Sequence, residues 1–303
     1  MTNSLCTFSN NRQLRSKIML YTKPEDWKNA KSKRVLLFGM SGLGKTYISN
    51  MLRAHGDWFH YSIDYRIGTR YLGELISDSY KLAAMQTPYL GELLKSDSIY
   101  IESNITFENL TPLSNYLGKP GNIELGGIPI AEYEKRQEQH RKAEIAALLD
   151  TGYFVSRSKE IYQYENFICD SGGSICEVVD PEDPNDPVMK HLSQNTLLVW
   201  IKGSDAHTEA LIDRFDKNPK PMCYQESFLA TKWEEFLSLK NINANKVDPN
   251  EFIRWTYSKA LSHRQPRYEK MSKWGITVKA EDIEQVKNTN QFNLLIENTL
   301  ANL

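Results

Sequence analysis

Up to about residue 30, polar and apolar positions follow no sustained period, and 23–33 (KPEDWKNAKSK) mixes both charges like a solvated lead-in onto which Trp27 is expected to dock. The first apolar run, Val35-Leu36-Leu37-Phe38, predicts a short, fully buried parallel strand. Ile48, Met51 and Leu52 then recur at helical spacing, and His55-Gly56 is placed to end that helix. Trp58–Ile63 (WFHYSI) is rich in aromatic and β-branched residues and predicts a second strand closing at Asp64. Further buried strands are predicted at Phe167-Ile168-Cys169, at Thr196–Ile201 and, shorter, at Gly275-Ile276-Thr277-Val278.

The intervals between strands read as helices. Arg66–Ser103 is mostly helical with Gly and Pro punctuation, whereas 104–129 is rich in turn residues and predicts a long loop. Ala131–Leu149 is a strong helix whose charged positions, including Arg136, His140 and Arg141, are expected on a solvated face. His207–Phe215 is helical and carries Arg214; the basic, proline-broken Asp216–Pro221 follows. Asp248 is expected to cap the next helix, with Pro249 at its first position, Glu251 completing a capping box and Pro266 kinking or interrupting it. Two helical segments close the chain.

Strands separated by helices predict an α/β fold with a parallel sheet, and 303 residues suit one elaborated domain. With 37 basic and 38 acidic residues, the net charge of −1 gives no overall field for nucleic acid or an anionic membrane. No apolar run approaches the roughly 20 residues of a membrane span, and the polar start (MTNSLCTFSNNRQLR) does not read as a signal peptide, so a cytoplasmic protein is expected. Cys6, Cys169, Cys176 and Cys223 lack C-x-x-C spacing and nearby histidine pairs; they read as reduced, mostly buried thiols without zinc or disulfides.

The chemistry centres on Gly39-Met40-Ser41-Gly42-Leu43-Gly44-Lys45-Thr46, which fits G-x-x-x-x-G-K-S/T between a strand and a helix. Glycines let such a loop wrap phosphates with inward N–H groups at a helix N-terminus. Gly39, Ser41, Gly42, Leu43, Gly44, Lys45, Thr46 and Tyr47 are therefore the expected ATP contacts, with Lys45 on the β- and γ-phosphates and Thr46 on Mg²⁺. Asp170, at a strand end, is the second candidate Mg²⁺ group, the alternative being a turn aspartate before Ser-Gly-Gly. Asp64 is the candidate acceptor-side residue or base, or else a helix cap. Arg214, Arg264 and Arg267 are candidates for a cationic clamp, with 214–225 as a lid.

GMSGLGKT after RVLLF, Asp64, FICDSGG, an arginine-bearing segment and HRQPRYEKM together resemble the P-loop kinases of small molecules, the shikimate, gluconate and nucleoside monophosphate kinases. From Arg34 onward, including FHYSIDYRIGTRYLGE and NTLLVWIKG, the chain also resembles a bacterial family labelled only "ATPase". The kinase resemblance implies a three-layer P-loop NTPase fold with an acceptor site between the second and third strands and a mobile arginine lid. In that reading residues 1–30 are an extension to a domain at 31–303, with an acceptor-side insertion at 65–166 and a lid region at 204–247. Lys45 and Thr46 match the family pattern, Asp170 matches the strand-end aspartate of nucleotide kinases, Asp64 an acceptor-side acid, and Arg214 and Arg267 lid and post-lid arginines. The long 65–166 interval departs from shikimate kinases, so the acceptor does not transfer.

The expected function is an ATP- and Mg²⁺-dependent phosphotransferase acting on a small hydroxyl- or phosphate-bearing metabolite; a regulatory ATPase with a macromolecular partner and a kinase of nucleic acid are the alternatives. Asp170-Ser171-Gly172-Gly173 and Asn245-Lys246-Val247-Asp248 also fit D-x-x-G and N-K-x-D, but the latter lies in a polar stretch where Asp248 has a capping role. ATP is accordingly expected over GTP.

Overall fold

The computed structural model describes residues 19–303; the start of the chain, with Cys6 and most of the polar lead-in, lies outside the described residues. Five strands, β1 (Arg34–Phe38), β2 (Trp58–Ser62), β3 (Asn166–Asp170), β4 (Leu197–Lys202) and β5 (Ile276–Lys279), form one all-parallel sheet in the order β2-β3-β1-β4-β5. Each agrees with a predicted strand to within a residue or two. Apolar runs such as Val35-Leu36-Leu37-Phe38 and Leu197–Ile201 are buried at every position, so both faces of the sheet are covered. The protein is thus α/β. Among the described residues no helix is long and apolar enough to cross a membrane.

The chain divides into two compact units. The first comprises the sheet with residues up to Ile63, Leu148–Arg214 and Lys259–Leu303. The lead-in packs onto it: Trp27, fully buried on the short helix Pro24–Lys28, meets Tyr21, Trp58 and Phe292 with ring centroids 5.1, 6.4 and 6.5 Å away. The chain leaves β1 for β2 and leaves β3 for β4, in opposite directions across the sheet. The carboxyl ends of β1 and β3 therefore flank a topological switch point, the place where open α/β sheets hold ligands.

The second unit, Asp64–Ala147 with Phe215–Ser258, is helical, with one isolated bridge between Pro120 and Ile128. Much of the stretch expected to be a long acceptor-side insertion and the segment after Arg214 fold together here. An aromatic cluster of Trp233, Phe236, Phe252 and Trp255 supplies its core, with centroids from 4.9 to 5.4 Å between the nearest pairs.

Several local expectations are corrected. The 104–129 stretch is not all loop, because Thr111–Leu117 is a helix that buries Leu113, Tyr116 and Leu117 on one side; Pro112 sits in its first turn, where proline is tolerated. The helix Pro249–Ser272 runs on through Pro266, because Arg264, Tyr268 and Met271 on either side are buried and held by the rest of the first unit. Asp248 caps that helix as expected, accepting from the backbone N–H groups of Asn250 and Glu251 at 2.8 and 3.1 Å, but Glu251 turns to the ammonium of Lys240 instead of closing a capping box. On the helix Ile130–Leu149, Arg136 and Arg141 pair with Glu132 and Glu138, whereas His140 is buried and not on a solvated face.

Candidate functional site

The loop between β1 and the helix Lys45–Ala54 lies at the switch point, and its glycines are structurally required. Gly39 has φ +135°, and a Cβ there would stand 2.6 Å from the carbonyl oxygen of Ile201; Gly42 has φ +92°. Lys45 lies inside the loop with 7% of its surface exposed, its ammonium donating to the carbonyls of Gly39 and Met40 at 2.7 and 2.8 Å. The cation thus organises the loop from within. Ser41, Gly42, Thr46 and Tyr47 are exposed, Leu43 is buried, and Gly44 packs beside Ile283 of the short helix Ala280–Glu284. Tyr47 is turned aside, its hydroxyl 3.4 Å from the carbonyl of Val286 and its ring under Lys287.

Asp170 ends β3 in register with Leu37 of β1 and Ser62 of β2. Its Oδ1 is 3.1 Å from His60 Nε2, within ion-pair distance but off a hydrogen-bond axis. His60 escaped the sequence reading because it looked like one more residue of an aromatic strand; only strand register puts it under Asp170. The loop after Asp170 is tied to β1 through Ser171, whose N–H and hydroxyl both donate to the carbonyl of Leu37 at 3.1 Å. Gly173 then approaches the glycine loop so closely that a Cβ would stand 2.8 Å from the Ser41 hydroxyl.

The arginines separate into different places. Arg214, on the helix Asp205–Lys217, reaches the glycine loop directly: a Cβ on Gly42 would stand 2.1 Å from its guanidinium, and Leu211, one turn earlier, packs on the same glycine. Arg264 is buried 3.8 Å from the position a Gly173 Cβ would take and donates to Glu177 at 2.6 Å. Arg267 donates to the carbonyls of Cys176 and Val179 at 2.6 and 3.0 Å, and Tyr268 to that of Gly173. Arg264, Arg267 and Tyr268 therefore shape the loop that follows β3.

Two expected site features differ in local structure from the expectation. Asp64 is not on β2 but on the short helix Ile63–Arg66, partly exposed, and belongs to the second unit. The segment 214–225 is not uniformly irregular: Arg214 to Lys217 is helical, 218–225 carries no helix or strand, and within it the backbone of Met222 and Tyr224 is bonded to Tyr133 and Gln137 of the second unit. No protein-family model and no curated protein matches the chain.

Proposed function

We propose that the protein is an ATP- and Mg²⁺-dependent phosphotransferase whose acceptor is a small hydroxyl- or phosphate-bearing metabolite. The observation that carries this reading is the arrangement around the glycine loop: exposed turn residues at the carboxyl end of a central parallel strand, Lys45 inside, and the Arg214 guanidinium against Gly42. A glycine loop opening a helix, with one cation inside it and one against it, suits a nucleotide's phosphates in a P-loop NTPase. The donor set also suits the metal. Thr46 at the start of the helix and Asp170 on the adjacent strand would hold Mg²⁺, which prefers oxygen ligands and supplies charge neutralisation at the phosphates. Among the described residues no acidic side chain pairs with Arg214, so its charge is available to an anion.

The test is ATP turnover by the purified protein. It should be slow alone and rise with one member of a panel of small hydroxylated or phosphorylated metabolites. The helical second unit supports a rival, an ATPase regulated by a macromolecule, and a rise with a protein or nucleic acid but no metabolite would decide for it. Absence of both nucleotide binding and turnover would remove both.

Arg214→Ala should lower kcat far more than ATP affinity, because a guanidinium at the loop's outer face acts on charge that develops during transfer. A loss of roughly a hundred-fold in kcat is expected; a normal rate with weakened binding would make Arg214 a ground-state contact instead. ATP should also be preferred to GTP by roughly tenfold or more, since Asp248 is committed to capping its helix. Competition binding in which GTP wins, with the preference lost in Asp248→Ala, would reverse that choice.

A further inference from the structure

A second polar cluster lies wholly within the helical unit. On the helix Ile130–Leu149, Tyr133, Gln137, His140 and Glu144 follow one another at spacings of four, three and four, which aligns them on one face. All four are buried. That face receives the segment before the helix Glu226–Lys240: Tyr133 and Gln137 donate to the carbonyl of Met222 at 2.8 and 2.9 Å, and the N–H of Tyr224 donates to Gln137 at 2.9 Å. Gln137 thus grips the backbone on both sides of Cys223. The side chain of Cys223 is thereby held one helical turn along from Gln137, beside His140 and Glu144.

The consequence is a compact set of nitrogen, oxygen and sulfur donors. One ligand atom each from His140, Glu144 and Cys223 lies within 4.8 Å of the others, and His140 Nδ1 is 3.7 Å from Glu144 Oε2. That separation is too long for a hydrogen bond. It is slightly longer than the matching edge of a coordination tetrahedron, since Zn–N and Zn–O bonds of about 2.0–2.2 Å place those two ligand atoms roughly 3.3–3.6 Å apart, so a small side-chain adjustment would bring both onto one cation. His140 Nδ1 is also buried with no hydrogen-bond partner, although its residue is only 6% exposed. A buried ring nitrogen with no hydrogen-bond partner, close to a carboxylate and a thiol, is an arrangement that a cation would complete.

We propose that His140, Glu144 and Cys223 form a binding site for a borderline-soft divalent cation, with zinc the best match. A thiolate and an imidazole disfavour Mg²⁺ and Ca²⁺, which seek oxygen, whereas zinc takes all three donor types and leaves a fourth position for water. Binding would release the Cys223 thiol proton to solvent. The site is independent of the phosphate-binding reading, because none of its residues belongs to the glycine loop's unit. Its structural effect would be to clamp the Met222–Tyr224 backbone onto the long helix.

The experiment uses the full chain, purified without a polyhistidine tag and desalted. Elemental analysis should find close to one zinc per chain, and the metal-free protein titrated with Co²⁺ should develop a thiolate-to-cobalt charge-transfer band with the ligand-field absorption of a tetrahedral site. Cys223→Ser and, separately, Glu144→Gln, each checked for a native circular dichroism spectrum, should weaken Co²⁺ and Zn²⁺ binding by roughly a hundred-fold or more, and Cys223→Ser should abolish the band. Thr46→Ala should leave the band unchanged, separating this site from any metal held with nucleotide. The proposal is overturned if the wild type neither carries zinc nor takes up Co²⁺ or Zn²⁺ in equilibrium dialysis, or if the charge-transfer band persists in folded Cys223→Ser.

Discussion

Lys45→Ala and Thr46→Ala should each reduce ATP·Mg²⁺ affinity by roughly a hundred-fold or more and take turnover to background, while both variants remain folded. The two side chains reach this outcome differently. Lys45 is buried and donates to the Gly39 and Met40 carbonyls, so its loss removes the cation and loosens the loop. That loosening should cost about 1–3 kcal/mol of stability, the range for unsatisfied buried polar groups. Thr46 is exposed, so its replacement should change stability by no more than about 0.5 kcal/mol. Isothermal titration with ATP and Mg²⁺, paired with urea unfolding, separates binding from folding. Wild-type affinity and turnover in both variants would refute the phosphate-site reading.

The largest stability effect is expected at Arg264. Its guanidinium is 4% exposed and donates to Glu177 at 2.6 Å, and the Glu177 side chain is 1% exposed. Removing one partner of such a pair leaves a buried carboxylate, with His263 standing 3.7 Å away, too far to hydrogen-bond. Arg264→Ala should therefore destabilise the protein by about 3–5 kcal/mol at pH 7.

Acid should shrink that difference. Burial alone would raise the Glu177 pKa, but Arg264 and His263 outweigh it and hold it below the usual carboxylate value. A depressed carboxylate pKa contributes stability that is present above the unfolded value, about 4.3, and is lost as pH falls through the folded value. In Arg264→Ala the opposing charge is gone and burial drives Glu177 to bind a proton more readily. Urea unfolding at pH 7 and near pH 4 tests both points. A difference below about 0.5 kcal/mol at pH 7, or one that does not change with pH, would show that the ion pair contributes little. Glu177→Gln combined with Arg264→Met should recover much of the loss, since no buried charge then lacks its partner.

Local pattern determined a large part of this protein. Runs such as Val35–Phe38 and Leu197–Ile201 are apolar at successive positions, a signature of strands buried on both faces, while β2 follows from its aromatic and β-branched residues and β5 from a short run that alternates buried and exposed. The glycine loop was equally legible, because its conformation depends on residues that take positive φ and on contiguous sequence. The cap at Asp248 belongs to the same class, being a contact between residues two and three apart. Tertiary structure decided whatever depends on neighbours distant in the chain. Strand order placed Asp170 between Leu37 and Ser62 and set His60 beside it; packing on both sides kept the helix intact through Pro266; and Arg264 became half of a buried ion pair instead of a clamp candidate among three. His140, Glu144 and Cys223 show the limit most plainly. Helical spacing relates the first two, but the cysteine is brought to them by the hydrogen bonds of Tyr133 and Gln137 to Met222 and Tyr224, which no local pattern of charge or hydrophobicity encodes.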